Sequence, residues 1–221
     1  MPPLIVSLLH EKNLLSPDEF FSDQFHVCLD KFTLTIGPDN VPFEFGIFYS
    51  KETGDGVISI TEMFKPKLVG NVVFKKTSDE VSAFTGAPSV QISSAIIEED
   101  YRGFELATSA YCKLAEYFNV LSDSVQTVGG ATLWKNKISN MPAISVQILI
   151  DYDTAPRTLL DAQDCEQTYD KSKVELERVI WSSRDQVTAE TASSLGIETA
   201  VGDHNQSRVL LAKRKNNNPQ H

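Results

Sequence analysis

Cysteine is scarce in this chain: three of 221 residues, Cys28, Cys112 and Cys165, widely separated and odd in number. No CxxC or zinc-type spacing occurs, which argues against a disulfide framework or a structural metal and for reduced thiols. Histidine is sparse too, with four scattered residues. No Ser-His-Asp or Cys-His grouping carries a recognisable local signature. Long hydrophobic runs are missing. The apolar stretch at residues 4–9 has no basic region before it and is too short to span a bilayer, so it is expected to pack on the domain as mature protein. No other segment approaches transmembrane length, which makes a cytoplasmic location the expectation.

Positive charge is also in deficit. Twenty Lys and Arg face thirty Asp and Glu, a formal net charge of −10. Such a surface repels phosphate backbones and anionic lipid alike, which argues against nucleic acid and membrane as partners. The one compact basic run, Lys213-Arg214-Lys215, precedes a polar tail and reads as a solubilising end. Mimicry of nucleic acid by the acidic surface fits the charge and nothing more specific.

What remains is ordinary for a globular protein: 41% hydrophobic and 23% charged residues. Ser16-Pro17-Asp18-Glu19 has the N-cap, early proline and acids of a short helix start. Strands then come at Val27–Ile36, 43–49, 57–64 and 68–77. They are separated by Gly37-Pro38-Asp39-Asn40, by a glycine-bearing turn at 51–56 and by a Lys-Pro-Lys break. Connections this short make an antiparallel meander. A further strand covers 90–97. Apolar residues at Leu106, Ala107, Ala110, Tyr111, Leu114 and Phe118 then change the period to that of a helix over 104–118. A short strand at 119–123, a helix at 127–138 and a buried strand at 143–150 complete the pattern. Beyond Asp151, residues 153–171 read as a long loop or irregular helix, 174–181 as a strand, 189–195 as a helix and 207–213 as a last strand. The organisation expected is an N-terminal segment (1–26) packing on a core (27–150), an elaboration of the same domain (151–215) and a disordered tail (216–221).

At the central strand-to-helix junction stands Arg102-Gly103-Phe104-Glu105-Leu106-Ala107, preceded by Tyr101. Some 20 residues on comes Leu121-Ser122-Asp123-Ser124-Val125-Gln126-Thr127-Val128-Gly129-Gly130-Ala131-Thr132-Leu133-Trp134. The earlier string resembles the Arg/Gln-x-x-Gly-x-Gly/Ala turn of the GNAT superfamily of N-acyltransferases. The later string is similar to a Ser-Asp…Gln-x-x-Gly-Gly…Leu-Trp pattern in divergent GNAT-like proteins of bacteriophage genomes. The order of strands and helices over about 27–150 is similar to that family's as well. The resemblance implies an α/β fold of the GNAT acyl-CoA N-acyltransferase kind: a mixed, mainly antiparallel sheet flanked by helices, with a C-terminal elaboration.

It implies, too, that backbone amides from Ile97 and the turn Arg102, Gly103, Phe104, Glu105, Leu106 and Ala107 hold the pyrophosphate of acetyl-CoA. Unpaired helix N-terminal amides and the macrodipole bind anions, and glycine allows close approach. Glu105 stands where the family's inner glycine belongs. Two negative groups at ~4 Å repel by roughly 1–4 kcal/mol, depending on the dielectric. That corresponds to about one to three orders of magnitude in affinity. Family enzymes also carry a tyrosine late in the second helix as general acid, and here Trp134 lies nearest that place.

The candidate catalytic carboxylates are Glu98 and Glu99, as general bases toward an amine, and Asp123, beside Ser122. Asp151 and Asp153 flank Tyr152 and read as a surface turn rather than a cation site; no metal is expected. Two functions stay open. One is transfer of an acyl group from acetyl-CoA to an amine. The other is a catalytically inactive GNAT-fold phage protein, in the host cytoplasm, that binds a host or virion protein.

Overall fold

The computed structural model describes residues 4–6, 14–21, 26–37, 39–123, 125–152, 155–161, 163–174, 176, 180, 182–183, 200–201 and 208–215. The chain is α/β, with mainly antiparallel strands flanked by a few helices. It divides into two compact units. A meander unit comprises His10–Lys76 and Val90–Leu114; a C-terminal unit comprises Met1–Leu9, Thr77–Ser89 and Ala115–His221. The expected helix at 189–195 and the tail at 216–221 lie outside the described residues.

Strand β1 (Leu4–Val6) falls in the C-terminal unit. The meander unit opens with α1 (Pro17–Phe21). Its start is a capping box: Ser16 N–H donates to Glu19 Oε2 at 2.8 Å, and Glu19 N–H donates to Ser16 Oγ at 3.3 Å. Strands β2 (Val27–Ile36), β3 (Val41–Tyr49), β4 (Gly56–Glu62) and β5 (Lys67–Lys76) then pair antiparallel in sequence order. Beyond α2 (Asp79–Thr85), which belongs to the other unit, β6 (Ser89–Ile97) adds to β5. The turn between β3 and β4 closes by Ser50 N–H to Asp55 O at 2.9 Å and Gly54 N–H to Ser50 O at 2.8 Å, with Gly54 at φ 75°. Helix α3 (Leu106–Leu114) comes after β6.

Burial explains the strand chemistry. Phe43, Phe45 and Ile47 of β3, Val57, Ile58 and Ile60 of β4, and Val69, Val72 and Phe74 of β5 are fully buried. Each such side chain contributes about 1.5–3 kcal/mol on leaving water. β4 buries successive residues, so both its faces are covered; α1 packs against β4 and α3 against β5. β2 instead alternates between half-buried and exposed positions, as a strand with one covered face does.

The C-terminal unit holds β7 (Asn119–Leu121), β8 (Val125–Thr127), α4 (Val128–Asn136), β9 (Ile144–Ile150), β10 (Arg157–Thr158), β11 (Ser182–Ser183), β12 (Ala200–Val201) and β13 (Arg208–Arg214). β13 runs antiparallel to both β7 and β9, and β10 lies on the other side of β9. Val81, Leu121, Leu149, Val209 and Leu211 form a buried cluster there, with Tyr152 against it. Leu4–Val6 of the N-terminal apolar run pair as β1, parallel to β8; β11 and β12 are likewise parallel. Lys213 and Arg214 of the basic run end β13, opposite Ser145 and Ile144.

Several expectations need correction. α2 was not expected, although its ends carry ordinary signals. Ser78 Oγ accepts from Val81 N–H, acids fill the first turn, and Gly86 closes the helix at φ 76°. Ser78→Ala should cost about 1 kcal/mol of stability in a denaturant titration. The described residues of 174–181, namely Val174, Leu176 and Ile180, are helical rather than extended. Leu176 and Ile180 are both buried.

Candidate functional site

The turn between β6 and α3 lies wholly in the meander unit, and residues from β4 and β5 fasten it. Glu98 N–H donates to Val69 O at 2.9 Å, holding the first turn residue to β5. A single 3₁₀ turn, Glu99–Tyr101, comes next, with Arg102 N–H on Glu99 O at 3.1 Å. Arg102 Nε reaches back to the carbonyl of Ile97 at 3.2 Å, so these two predicted site residues do meet. The Phe104 ring packs 6.3 Å from the rings of both Phe43 and Tyr101, and a Cβ on Gly37 would lie 3.6 Å from it. That ring anchors the turn to the sheet.

Two left-handed residues set where α3 begins. Gly103 has φ 92°, and Glu105 has φ 60°. The first is easy for glycine; the second costs a residue with a Cβ roughly 1–2 kcal/mol. Glu105 nonetheless caps α3, its carbonyl accepting Ser109 N–H at 2.9 Å. This pair of conformations is why the helix starts at Leu106 and not at Phe104. Leu106 is buried and Ala107 half-buried, and their amides fall in the helix's first turn, where intrahelical partners are lacking.

The carboxylates divide by environment. Glu98 accepts from Lys67 Nζ at 2.5 Å, and this hydrogen bond raises the Lys67 pKa. Glu99, Asp100 and Glu105 are exposed, as is Arg102. Tyr101 donates its phenol hydrogen to Glu62, the last residue of β4. Glu62 is only 4% exposed and was missed from sequence. Its one signal is the alternation Ile58, Ile60, Glu62, which sets a carboxylate in line with two core residues.

The Tyr101 pKa is pushed up to about 12, chiefly by the hydrogen bond to Glu62, then by burial and by the negative charges of Glu62, Glu98 and Asp100. The protonated phenol is thus favoured by the fold. Its contribution to stability is complete below the ordinary tyrosine pKa of 10 and is lost as pH rises toward 12. An ultraviolet titration should show tyrosine absorbance still rising near pH 12, and this late component should be lost in Tyr101→Phe.

Asp123 lies in the C-terminal unit. It is half-buried after β7, and its carbonyl accepts from Ser122 Oγ at 3.3 Å. Ser122 is wholly buried and continues the strand pairing, donating N–H to Leu210 O at 2.8 Å while its Oγ accepts Leu210 N–H at 3.0 Å. Trp134 is 1% exposed, a core residue of α4. Asp151, at φ 53°, binds Arg157 through Nε at 3.0 Å and Nη2 at 2.9 Å; Asp153 lies outside the described residues.

Among the described residues, no three His, Cys, Asp or Glu side chains group as a metal ion would need, and no helix is long and apolar enough to cross a membrane. Compared with known proteins, the chain matches no family model, no curated protein and no solved structure.

Proposed function

We propose that this chain is a GNAT-like protein of the divergent bacteriophage kind that binds a protein partner and does not transfer acyl groups. The observation that carries this reading is Glu105. It stands where the family's pattern has its inner glycine, with a left-handed backbone at φ 60°, and brings a carboxylate to the start of α3. Acetyl-CoA fits this turn poorly. Its pyrophosphate would meet the carboxylate of Glu105, with Glu99 and Asp100 exposed on the same short turn.

The candidate bases support the same reading. Glu98 is committed to Lys67. Glu99 is exposed on a 3₁₀ turn. Trp134, nearest the place of the family's proton donor, is buried and has no acidic proton at ordinary pH. A partner suited to the turn would be a basic segment of a host or virion protein, by charge complementarity.

The acyltransferase reading retains one specific support. The first turn of α3 still presents the amides of Leu106 and Ala107, which lack intrahelical partners and suit an anion. A thiol-release assay separates the two. With acetyl-CoA and a panel of polyamines and lysine peptides, release should not exceed the uncatalysed background. Saturable release dependent on the amine would overturn the proposal.

A further inference from the structure

Strand β2 pairs with β3 along one edge, and no strand pairs with its other edge among the described residues. Open edges are ordinarily protected by charge, bulges or proline, because a row of unused peptide groups templates further pairing. In β2 these devices are confined to the first half. The register shifts between Cys28 and Asp30, and the strand's two charged residues are Asp30 and Lys31. Both charges are already engaged within the chain: Asp30 with Lys113 at 3.1 Å, and Lys31 with Glu44 at 3.8 Å.

The second half, Phe32-Thr33-Leu34-Thr35-Ile36, has no bulge, no charge and no proline, and every residue in it is β-branched, aromatic or leucine. Phe32, Leu34 and Ile36 are half-buried on one face, while Thr33 and Thr35 are exposed on the other. This segment is self-complementary when turned antiparallel about Leu34. Phe32 then faces Ile36, Leu34 faces Leu34, and Thr33 faces Thr35, so apolar meets apolar and hydroxyl meets hydroxyl. Lys31 falls opposite the Gly37 turn, and no like charges are opposed.

We infer that the free edge of β2 is an interface with a second copy of this chain, a two-fold dimer in which the two β2 strands pair antiparallel about Leu34. The arrangement is isologous and closes on itself, because each copy uses the same β2 edge. The inference is independent of any role assigned to the β6–α3 turn.

Analytical ultracentrifugation of the full chain over a wide concentration range tests it, with circular dichroism to verify folding. The native chain should sediment at twice its monomer mass at high concentration. Thr33→Lys with Thr35→Lys alters only exposed positions and sets lysine opposite lysine twice; it should weaken the dimer about tenfold or more. Thr33→Lys with Thr35→Glu sets lysine opposite glutamate in the same register and should retain the dimer. A native chain that stays monomeric at millimolar concentration would overturn the inference. So would a dimer indifferent to the two lysines, equal weakening by both double variants, or a mass that rises without limit.

Discussion

Glu105→Gly should stabilise the chain by about 1 kcal/mol and, in the same step, raise its affinity for acetyl-CoA by about one to three orders of magnitude. The two effects have separate causes. The first is release of a left-handed conformation, φ 60°, that a Cβ makes costly and that glycine adopts freely. Part of that gain is offset by glycine's larger conformational freedom in the unfolded chain. The second is removal of a carboxylate from the N-terminal turn of α3, where amides and the helix dipole favour an anion. Denaturant titration reads the first, and calorimetric titration with acetyl-CoA reads the second. Glu105→Ala divides them. It removes the charge but keeps the Cβ, so it should gain affinity without gaining stability. If Glu105→Gly were destabilising, the left-handed conformation would not be a strained one.

Tyr101→Phe should cost about 1–3 kcal/mol, a large effect for the loss of one oxygen atom. The phenol donates to Glu62, a carboxylate with 4% exposure at the end of β4. Without that donor a buried acceptor is left unpaired, which costs more than the bond itself contributes. Removing both partners, as in Tyr101→Phe with Glu62→Met, should recover much of the loss, since an apolar pair leaves nothing unsatisfied. A double-mutant cycle on these positions should therefore show strong coupling. Additive losses would mean that Glu62 finds its satisfaction elsewhere. The same contact should move the titration of Tyr101 back toward the ordinary tyrosine range when Glu62 becomes Gln, because the hydrogen bond to Glu62 is the leading cause of its shift.

The strands of the meander could be read from the chain because their cause is local. Alternating Phe43, Phe45 and Ile47, with turns at Gly37–Asn40 and Ser50–Asp55, fixes strand and hairpin together. The helix at Leu106–Leu114 was legible by its period, yet its first turn was placed two residues early. Nothing in the composition of Phe104-Glu105 announces a left-handed backbone. Short elements were the least visible. β8 is three residues long and exists through its pairing with β1, a partner more than a hundred positions away. β13 lies between β7 and β9, an order that no local pattern encodes.

The candidate site was half legible for the same reason. Ile97, Arg102, Gly103 and Glu105 are close in sequence and share one turn, so reading along the chain could group them. Glu62 and Lys67 reach that turn from strands 39 and 31 residues earlier, through Tyr101 and Glu98. Only the strand pairing brings them there. Burial of Ser122 and Trp134 is likewise a property of the packed unit, and it removes both from the surface on which chemistry would occur.

One titration bears most directly on the functional account: acetyl-CoA added to the native chain at low ionic strength, where electrostatic terms are largest. A turn that sets Glu105 at the start of α3, with Glu99 and Asp100 exposed beside it, should give no saturable heat up to millimolar ligand. Saturable binding in the micromolar range would contradict the account, and would return the chain to the acyltransferases.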